Sequence, residues 1–229
     1  LVVTPDMSAA TMARTMEYEV ENLQCRILLH TPGQSITHTD IGAALTASTN
    51  ASIIARHHDK WVIPTLGKIE AASARSSALK DRGVYWIIGG TGGIGYATAV
   101  RLARSCGARL VLSGRRAQMD QSQILALRHD GAEVMYIPVD LTNRASLQAA
   151  YNQIQNMVGP ISGVIHAAGV IEDGLIAMRQ RNDVDRVLAP KLVGGHNLCA
   201  VIQNEPLDFL VFVSSLSALF PNPGQADYG

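Results

Sequence analysis

The sequence predicts an α/β fold: a doubly wound parallel sheet, cut short at its C-terminal end and preceded by part of a smaller α/β subdomain. Three observations carry this. From Val84 onward, short apolar runs rich in β-branched residues alternate with stretches of helical periodicity. The first run leads straight into a glycine-rich turn, Gly90-Thr91-Gly92-Gly93-Ile94-Gly95, that opens a helical stretch. Hydrophobic residues make up 47% of the 229 residues and charged residues 17%, enough apolar material for a large core and too much for a disordered chain.

The strands are read at 84–88, 109–113, 134–138, 163–166 and 209–214. Helical patterns separate them. In 142–158, Leu147, Tyr151, Ile154 and Val158 share one face, and Thr142 is placed to cap the N-terminus. Strand, helix, strand, repeated in this way, means crossover units and a buried parallel sheet. Before that rhythm, 11–23 can form an amphipathic helix with Met12, Met16, Val20 and Leu23 on one face. Residues 25–30 read as a strand and 40–48 as a second helix. Residues 52–56 and 61–66 read as a hairpin around His57-His58-Asp59-Lys60. The small, polar stretch from Ala71 to Ala78 reads as a linker or a weak helix. The organisation expected is therefore 1–70, a linker over 71–83, and 84–229.

Nineteen basic and nineteen acidic side chains leave no net charge, so broad electrostatic capture of nucleic acid or an anionic membrane is not expected. Cys25, Cys106 and Cys199 are far apart and form no C-x-x-C pair. They read as small buried hydrophobes in a reducing compartment, which makes the cytoplasm the expected location and a metal site unexpected. The pair His57-His58 reads as a solvated turn, and His166, at the end of a buried strand, as a core histidine. Both chain ends read as cuts in a longer polypeptide, and the 229 residues alone are expected to be inactive and marginally folded.

The glycine turn fits G-x-G-x-x-G between a strand and a helix, the context of a Rossmann-type dinucleotide site. The glycines would let a pyrophosphate approach the backbone at a helix N-terminus, which carries free N–H groups. A glycine turn without a ligand is the competing reading. The second strand ends in Ser113-Gly114-Arg115-Arg116, and Arg115 lies 20 residues past Gly95. An NAD site tends to carry an acid there; two arginines suit a 2′-phosphate, so NADPH is favoured. A solvated basic turn is the alternative. Asp140-Leu141 follows the third strand. Asp140 could accept a hydrogen bond from an adenine amine or could cap the next helix.

Taken together, Gly89–Gly95, Ser113-Gly114-Arg115-Arg116, His166-Ala167-Ala168-Gly169, Lys191-Leu192-Val193-Gly194-Gly195-His196-Asn197-Leu198, Phe212-Val213-Ser214-Ser215 and Pro223-Gly224-Gln225-Ala226-Asp227-Tyr228 resemble the short-chain dehydrogenase/reductase superfamily. The closest resemblance is to the ketoreductase domains of type I polyketide and fatty acid synthases. Segment 1–70 resembles, more loosely, the end of the structural subdomain that precedes the catalytic half in these domains. The resemblance implies NADPH-dependent reduction of a β-ketoacyl thioester carried on an acyl carrier protein, beside other domains of the same synthase. It implies that Tyr228 donates the proton, that Ser215 hydrogen-bonds the carbonyl oxygen, and that Lys191 lowers the tyrosine pKa. It adds Ala167, Ala168 and Gly169 to the cofactor site. The position of Lys191 fits the synthase type, in which Lys and Asn are exchanged relative to classical members.

Ile171-Glu172-Asp173 resembles the Leu-Asp-Asp signature of B-type ketoreductases, with Asp173 at its diagnostic place. Pro223 agrees, and Phe220 stands where A-type domains carry Trp. A B-type (D, usually 3R) alcohol is therefore expected. Three departures stand out: Ile88 where Thr is frequent, Glu172 for the first Asp of the signature, and Asp227 where many relatives carry Asn. Two other readings compete, a stand-alone reductase of a small carbonyl compound and a non-catalytic scaffold. Segment 1–70 and Lys191 speak against the first, and retention of Tyr228, Ser215 and Lys191 against the second.

Overall fold

The computed structural model describes residues 1–49, 51–57, 60–70 and 78–228. It contains two units. The first comprises Leu1–Ala72, Ile171–Val184 and Ser214–Gly229; the second comprises Ser73–Val170 and Asp185–Val213.

In the first unit the order is β1 (Val2–Thr4), α1 (Met7–Glu19), β2 (Ile27–His30), α2 (His38–Thr46), β3 (Ile53–His57) and β4 (Lys60–Val62). The strands form a sheet in that order, β1 to β3 parallel and β4 antiparallel to β3. The expected hairpin is β3 and β4, paired from Ala55↔Val62 to His57↔Lys60. His58, read with His57 as a solvated turn, lies outside the described residues, as do 71–77 of the expected linker.

Helix α1 differs from the sequence reading. It starts earlier and ends at Glu19, so Val20 and Leu23 lie beyond it. Its buried face is Ala10, Thr11, Ala13 and Thr15, while Met12 is exposed. Small side chains let the helix backbone lie close to the sheet, with Ala10 and Ala13 against Ile27. Thr15 Oγ1 satisfies itself on the Thr11 carbonyl one turn back, 3.0 Å away, so a hydroxyl is tolerated inside. Helix α2 is held by a capping box in which Asp40 N donates to Thr37 Oγ1 and Thr37 N to Asp40 Oδ2 (2.9 Å). Asp40 also pairs with Arg56 of β3.

The second unit holds β5 (Val84–Ile88), α3 (Gly93–Cys106), β6 (Arg109–Gly114), α4 (Gln121–His129), β7 (Glu133–Pro138), α5 (Arg144–Met157), β8 (Gly163–His166), α7 (Leu192–Ile202) and β9 (Phe209–Phe212); α6 (Arg181–Leu188), which precedes α7 in the chain, begins in the first unit and ends in the second. The sheet is wholly parallel, in the order β7-β6-β5-β8-β9. All five residues of β5 are buried, which is why Val-Tyr-Trp-Ile-Ile carries no alternating polar position. Val84, Trp86 and Ile88 pack with α5 and α7 on one face. Tyr85 and Ile87 pack with α3 and α4 on the other. The indole of Trp86 keeps its donor satisfied on Ser113 Oγ, 2.9 Å away.

Asn143, not Thr142, caps α5, accepting from Ala145 N and Ser146 N. The Thr142 hydroxyl is turned the other way and donates to Asp140 Oδ1 at 2.7 Å. Leu147, Ala150 and Ile154 form the buried face of α5, with Tyr151 and Val158 at its margin.

Candidate functional site

In the second unit the chain steps outward from β5 through β6 to β7, then returns to place β8 on the other side of β5. Parallel sheets bind ligands at this reversal, beyond the carboxyl ends of the strands. Both loops there are tightly apposed. Gly89, immediately after β5, has φ +83°, and a β-carbon on it would lie 2.5 Å from Ala168 N and 2.7 Å from the Ala167 carbonyl carbon. Only glycine fits this turn. Gly89 N donates to Ser113 O (2.7 Å) and Gly92 N to Gly89 O (3.0 Å), closing the turn at the mouth of α3. A β-carbon on Gly95 would run into the Gly89 carbonyl, so the first turn of α3 sits directly on the loop. Gly92 is the N-cap of α3 and no side chain caps that end. Its N–H groups and partial positive charge are thus presented where a phosphate could bind. Beside Gly93 a β-carbon would meet open space, and Ile94 is exposed.

Arg115 and Arg116 are exposed past the end of β6. Tyr136 of β7 donates its hydroxyl to the Arg116 carbonyl at 2.7 Å, bracing that loop; its burial pushes the phenol pKa up. Ser113 is fully buried, and its hydroxyl accepts from Trp86, so it reaches the glycine turn through its carbonyl. Asp140 Oδ1 accepts from Thr142 N and Oγ1, closing a turn ahead of α5, whose cap is Asn143. Leu141 is buried, and its carbonyl accepts from Asn197 Nδ2 at 2.9 Å.

Lys191 stands at the start of α7, half-buried, and donates to the Val213 carbonyl at 2.6 Å. Burial holds its pKa below the ordinary lysine value. A β-carbon on Gly169 would touch Lys191 Cε at 3.4 Å, so the loop after β8 carries glycine where the lysine passes. His166 is buried and bonds the Pro190 carbonyl through Nε2 (2.9 Å), while its Nδ1 has no partner. Burial depresses its pKa and keeps it neutral.

Ser215, Tyr228, Asp173, Phe220 and Pro223 belong to the first unit. Ser215 caps the 3₁₀ turn Leu216–Ala218, accepting from Ser217 N at 3.1 Å. A polar chain runs on from it: Ser215 Oγ donates to Ser217 Oγ (3.1 Å), Ser217 Oγ to Gln225 Oε1 (3.0 Å), and Gln225 Nε2 to Asp173 Oδ1 (3.1 Å). Thus Asp173 and Ser215 are joined through Gln225, a link that sequence spacing gives no sign of. Tyr228 is half-buried, and its N–H closes a turn onto the Gln225 carbonyl. Phe220 and Pro223 are exposed. Glu19, at the end of α1, accepts from Ile176 N (2.5 Å) and Gly224 N (2.7 Å), tying both loops to one carboxylate. Thr11 and Arg14 of α1 donate to the carbonyls of Ala218 and Leu219 at 2.6 and 2.8 Å. Among the described residues no group of three His, Cys, Asp or Glu is arranged to hold a metal ion.

A family model for the KR domain matches residues 83–229. The chain belongs to the KR domain family. Polyketide synthase PksM of Bacillus subtilis (strain 168) is 34% identical over 192 residues, 82% of this chain and 4% of that protein. The hybrid PKS-NRPS synthetase pvhA of Talaromyces variabilis is 35% identical over 178 residues, 75% of this chain and 4% of that protein. The chain therefore spans a few per cent of these relatives. A ketoreductase domain from the bacillaene assembly line superposes with a TM-score of 0.83 at 26% identity, covering 99% of this chain and 56% of that one. An N-terminal ketoreductase from the macrolactin assembly line gives 0.78 at 28% identity, covering 99% and 48%. A short-chain dehydrogenase/reductase from Burkholderia phymatum, solved in complex with NAD, gives 0.59 at 28% identity and covers 65% of this chain and 54% of that one. The KR domain thus has the Rossmann-like parallel sheet that the strand rhythm predicts, with Gly89 added to the glycines the motif picks out. The signal for Gly89 was the doubled glycine at the strand end.

Proposed function

We propose that this chain is the nucleotide-binding and catalytic part of an NADPH-dependent β-ketoacyl reductase in a modular polyketide synthase, with 1–70 the end of its structural subdomain, 71–83 a linker and 84–229 the catalytic subdomain. One observation supports the synthase reading above the others: the assembly-line ketoreductases cover 99% of the chain, the first unit included, and the Burkholderia reductase 65%. A stand-alone reductase would leave Leu1–Ala72 without a counterpart.

The turn Gly90–Gly95 and the uncapped start of α3 would hold the pyrophosphate of the dinucleotide, and Arg115 and Arg116 its 2′-phosphate. Ala167, Ala168 and Gly169 line the same strand ends. The bound cofactor supplies the hydride. Tyr228 gives the proton to the substrate oxygen, Ser215 donates a hydrogen bond to that oxygen, and Lys191 stabilises the phenolate left behind. An ammonium already destabilised by burial gains most from a nearby anion, which suits Lys191 to that task. The substrate is a β-ketoacyl thioester on an acyl carrier protein. Asp173, Phe220 and Pro223 favour the B-type (3R) alcohol, and the protein works in the cytoplasm beside the other domains of its synthase.

The test is reduction of 3-oxobutyryl-acyl carrier protein by the longest natural polypeptide that contains this sequence. NADPH oxidation with a 3R product, abolished by Tyr228→Phe, is expected. Turnover that survives Tyr228→Phe, or prefers NADH, refutes the assignment.

A further inference from the structure

We propose that Arg179 is a positioning residue for Tyr228, acting through a buried ion pair with Asp227, and that this pair is what admits a carboxylate beside the proton donor. The proposal rests on the ketoreductase reading above. Arg179 Nε donates to Asp227 Oδ2 at 2.9 Å and Nη2 reaches the same oxygen. The two side chains are 11% and 3% exposed. No other ion pair in the first unit is so well hidden on both sides, among the described residues. The arginine is also held along its stem. A β-carbon on Gly174 would lie 3.0 Å from Arg179 Cδ, so the guanidinium reaches Asp227 by folding back over a glycine. Gly174 N in turn donates to the Gly224 carbonyl at 2.8 Å, fastening the two loops a second time.

Asp227 precedes Tyr228 in the chain. A buried carboxylate without a counter-ion opposes formation of any negative charge nearby, and a phenol that gives up its proton forms such a charge. A guanidinium is charged at every relevant pH, so the pair stays neutral overall while Tyr228 cycles. The same two bonds set where the 225–228 turn lies relative to 171–179. The guanidinium bonds Asp227 Oδ2, and its influence on Tyr228 passes through that carboxylate.

The two residues therefore act as a unit, which a double-mutant cycle exposes. In the longest natural polypeptide containing this sequence, Arg179→Met leaves the carboxylate bare, and Asp227→Asn leaves the guanidinium without its counter-charge. Each should lower kcat by about 10- to 100-fold, the cost of slightly misplacing a reacting group. The dissociation constant for NADPH, read by nucleotide fluorescence, should change by less than about twofold, because the glycine turn belongs to the other unit. A merely structural lesion would move both. The double variant Arg179→Met/Asp227→Asn removes both charges and should recover to within about fivefold of the unaltered protein. Should Arg179→Met be unfolded at the assay temperature, Arg179→Lys carries the test, with kcat between the two and NADPH binding unchanged. Unaltered kcat in either single variant or in Arg179→Lys overturns the proposal, and so does a double variant no better than the worse single. Tyr228→Phe is the control that separates the two readings. If it retains activity, the ketoreductase reading fails; if it is inactive while the Arg179 and Asp227 variants are normal, only this proposal fails.

Discussion

Replacing Gly89 by alanine should damage the protein far more than replacing Gly93, four residues on in the same turn. The reason is geometric. Gly89 has φ +83°, a backbone region that costs an L-residue about 1–2 kcal/mol. Its new methyl would also lie 2.5 to 2.8 Å from Ala168 N and the Ala167 carbonyl. These are backbone atoms, held by the Ala167 N–H bond to the Ile88 carbonyl at 2.7 Å, and cannot rotate aside. Forcing an extra carbon into packed structure adds about 1–3 kcal/mol. The sum is about 2–5 kcal/mol, which for a domain of this size is a fall in Tm of roughly 5–15 °C. At Gly93 a β-carbon meets open space in the first turn of α3, and alanine gains up to about 1 kcal/mol of helix preference. Yet that open space is where the pyrophosphate is proposed to lie, so Gly93→Ala should weaken NADPH binding by at least about tenfold while Tm holds or rises. Thermal unfolding with and without NADPH measures both effects. Equal losses of Tm in the two variants, or a Gly89→Ala protein within about 2 °C of the original, would refute the reasoning.

Lys191→Met should lower kcat by about 10²–10⁴-fold with little loss of Tm, because burial already works against its ammonium; a variant that loses stability and activity together would contradict this. Glu19→Ala removes the acceptor shared by Ile176 N and Gly224 N, each such bond being worth about 1.5–3 kcal/mol; kcat should fall with NADPH affinity unchanged in a fluorescence titration. Tyr136→Phe frees the Arg116 carbonyl, and calorimetry should show a several-fold smaller preference for 2′,5′-ADP over 5′-ADP. Burial pushes the Glu205 carboxyl up, but its bonds from Tyr151, Ile161 N and Gln155 outweigh this and hold its pKa below the usual range. The stability it supplies is therefore fully present above the unfolded value, about pH 4.3, and is lost as pH falls through the lower folded value; in acid denaturation Glu205→Gln should flatten that part of the curve.

The parallel sheet was legible because strands buried on both faces leave unbroken apolar runs. Val84–Ile88 and Gly163–His166 fall where the pattern puts them, and β6, β7 and β9 within two residues of it at either end. Helix α1 was misread for a related reason. Periodicity weighs large apolar side chains, whereas this helix buries alanine and threonine. The cap of α5 moved by one residue because two adjacent side chains could each serve, and Asp140 occupied the Thr142 hydroxyl. At the candidate site, the glycines and arginines announce themselves by local spacing. The bonds from Glu19 to Ile176 and Gly224, from Gln225 to Asp173 and from Arg179 to Asp227 do not, because they join residues 48 to 205 positions apart. Such partners follow from tertiary structure and leave no local periodicity.

The first unit is assembled from three separated stretches, and this has a consequence for biogenesis. The carboxylate of Glu19 waits for a partner 157 residues downstream, and the hydroxyl of Thr11 for one 207 residues away. At a synthesis rate of roughly 5–20 residues per second, helix α1 leaves the ribosome some ten to forty seconds before those partners exist. Meanwhile α1 lacks those partners, while Ser73–Val170 can already pair its first four strands. Within this stretch, folding during translation would thus run out of chain order, the second unit's first four strands pairing before the first unit is complete. Of these 229 residues, 1–70 would depend most on a holding chaperone and be most exposed to proteolysis whenever elongation stalls before their partners emerge.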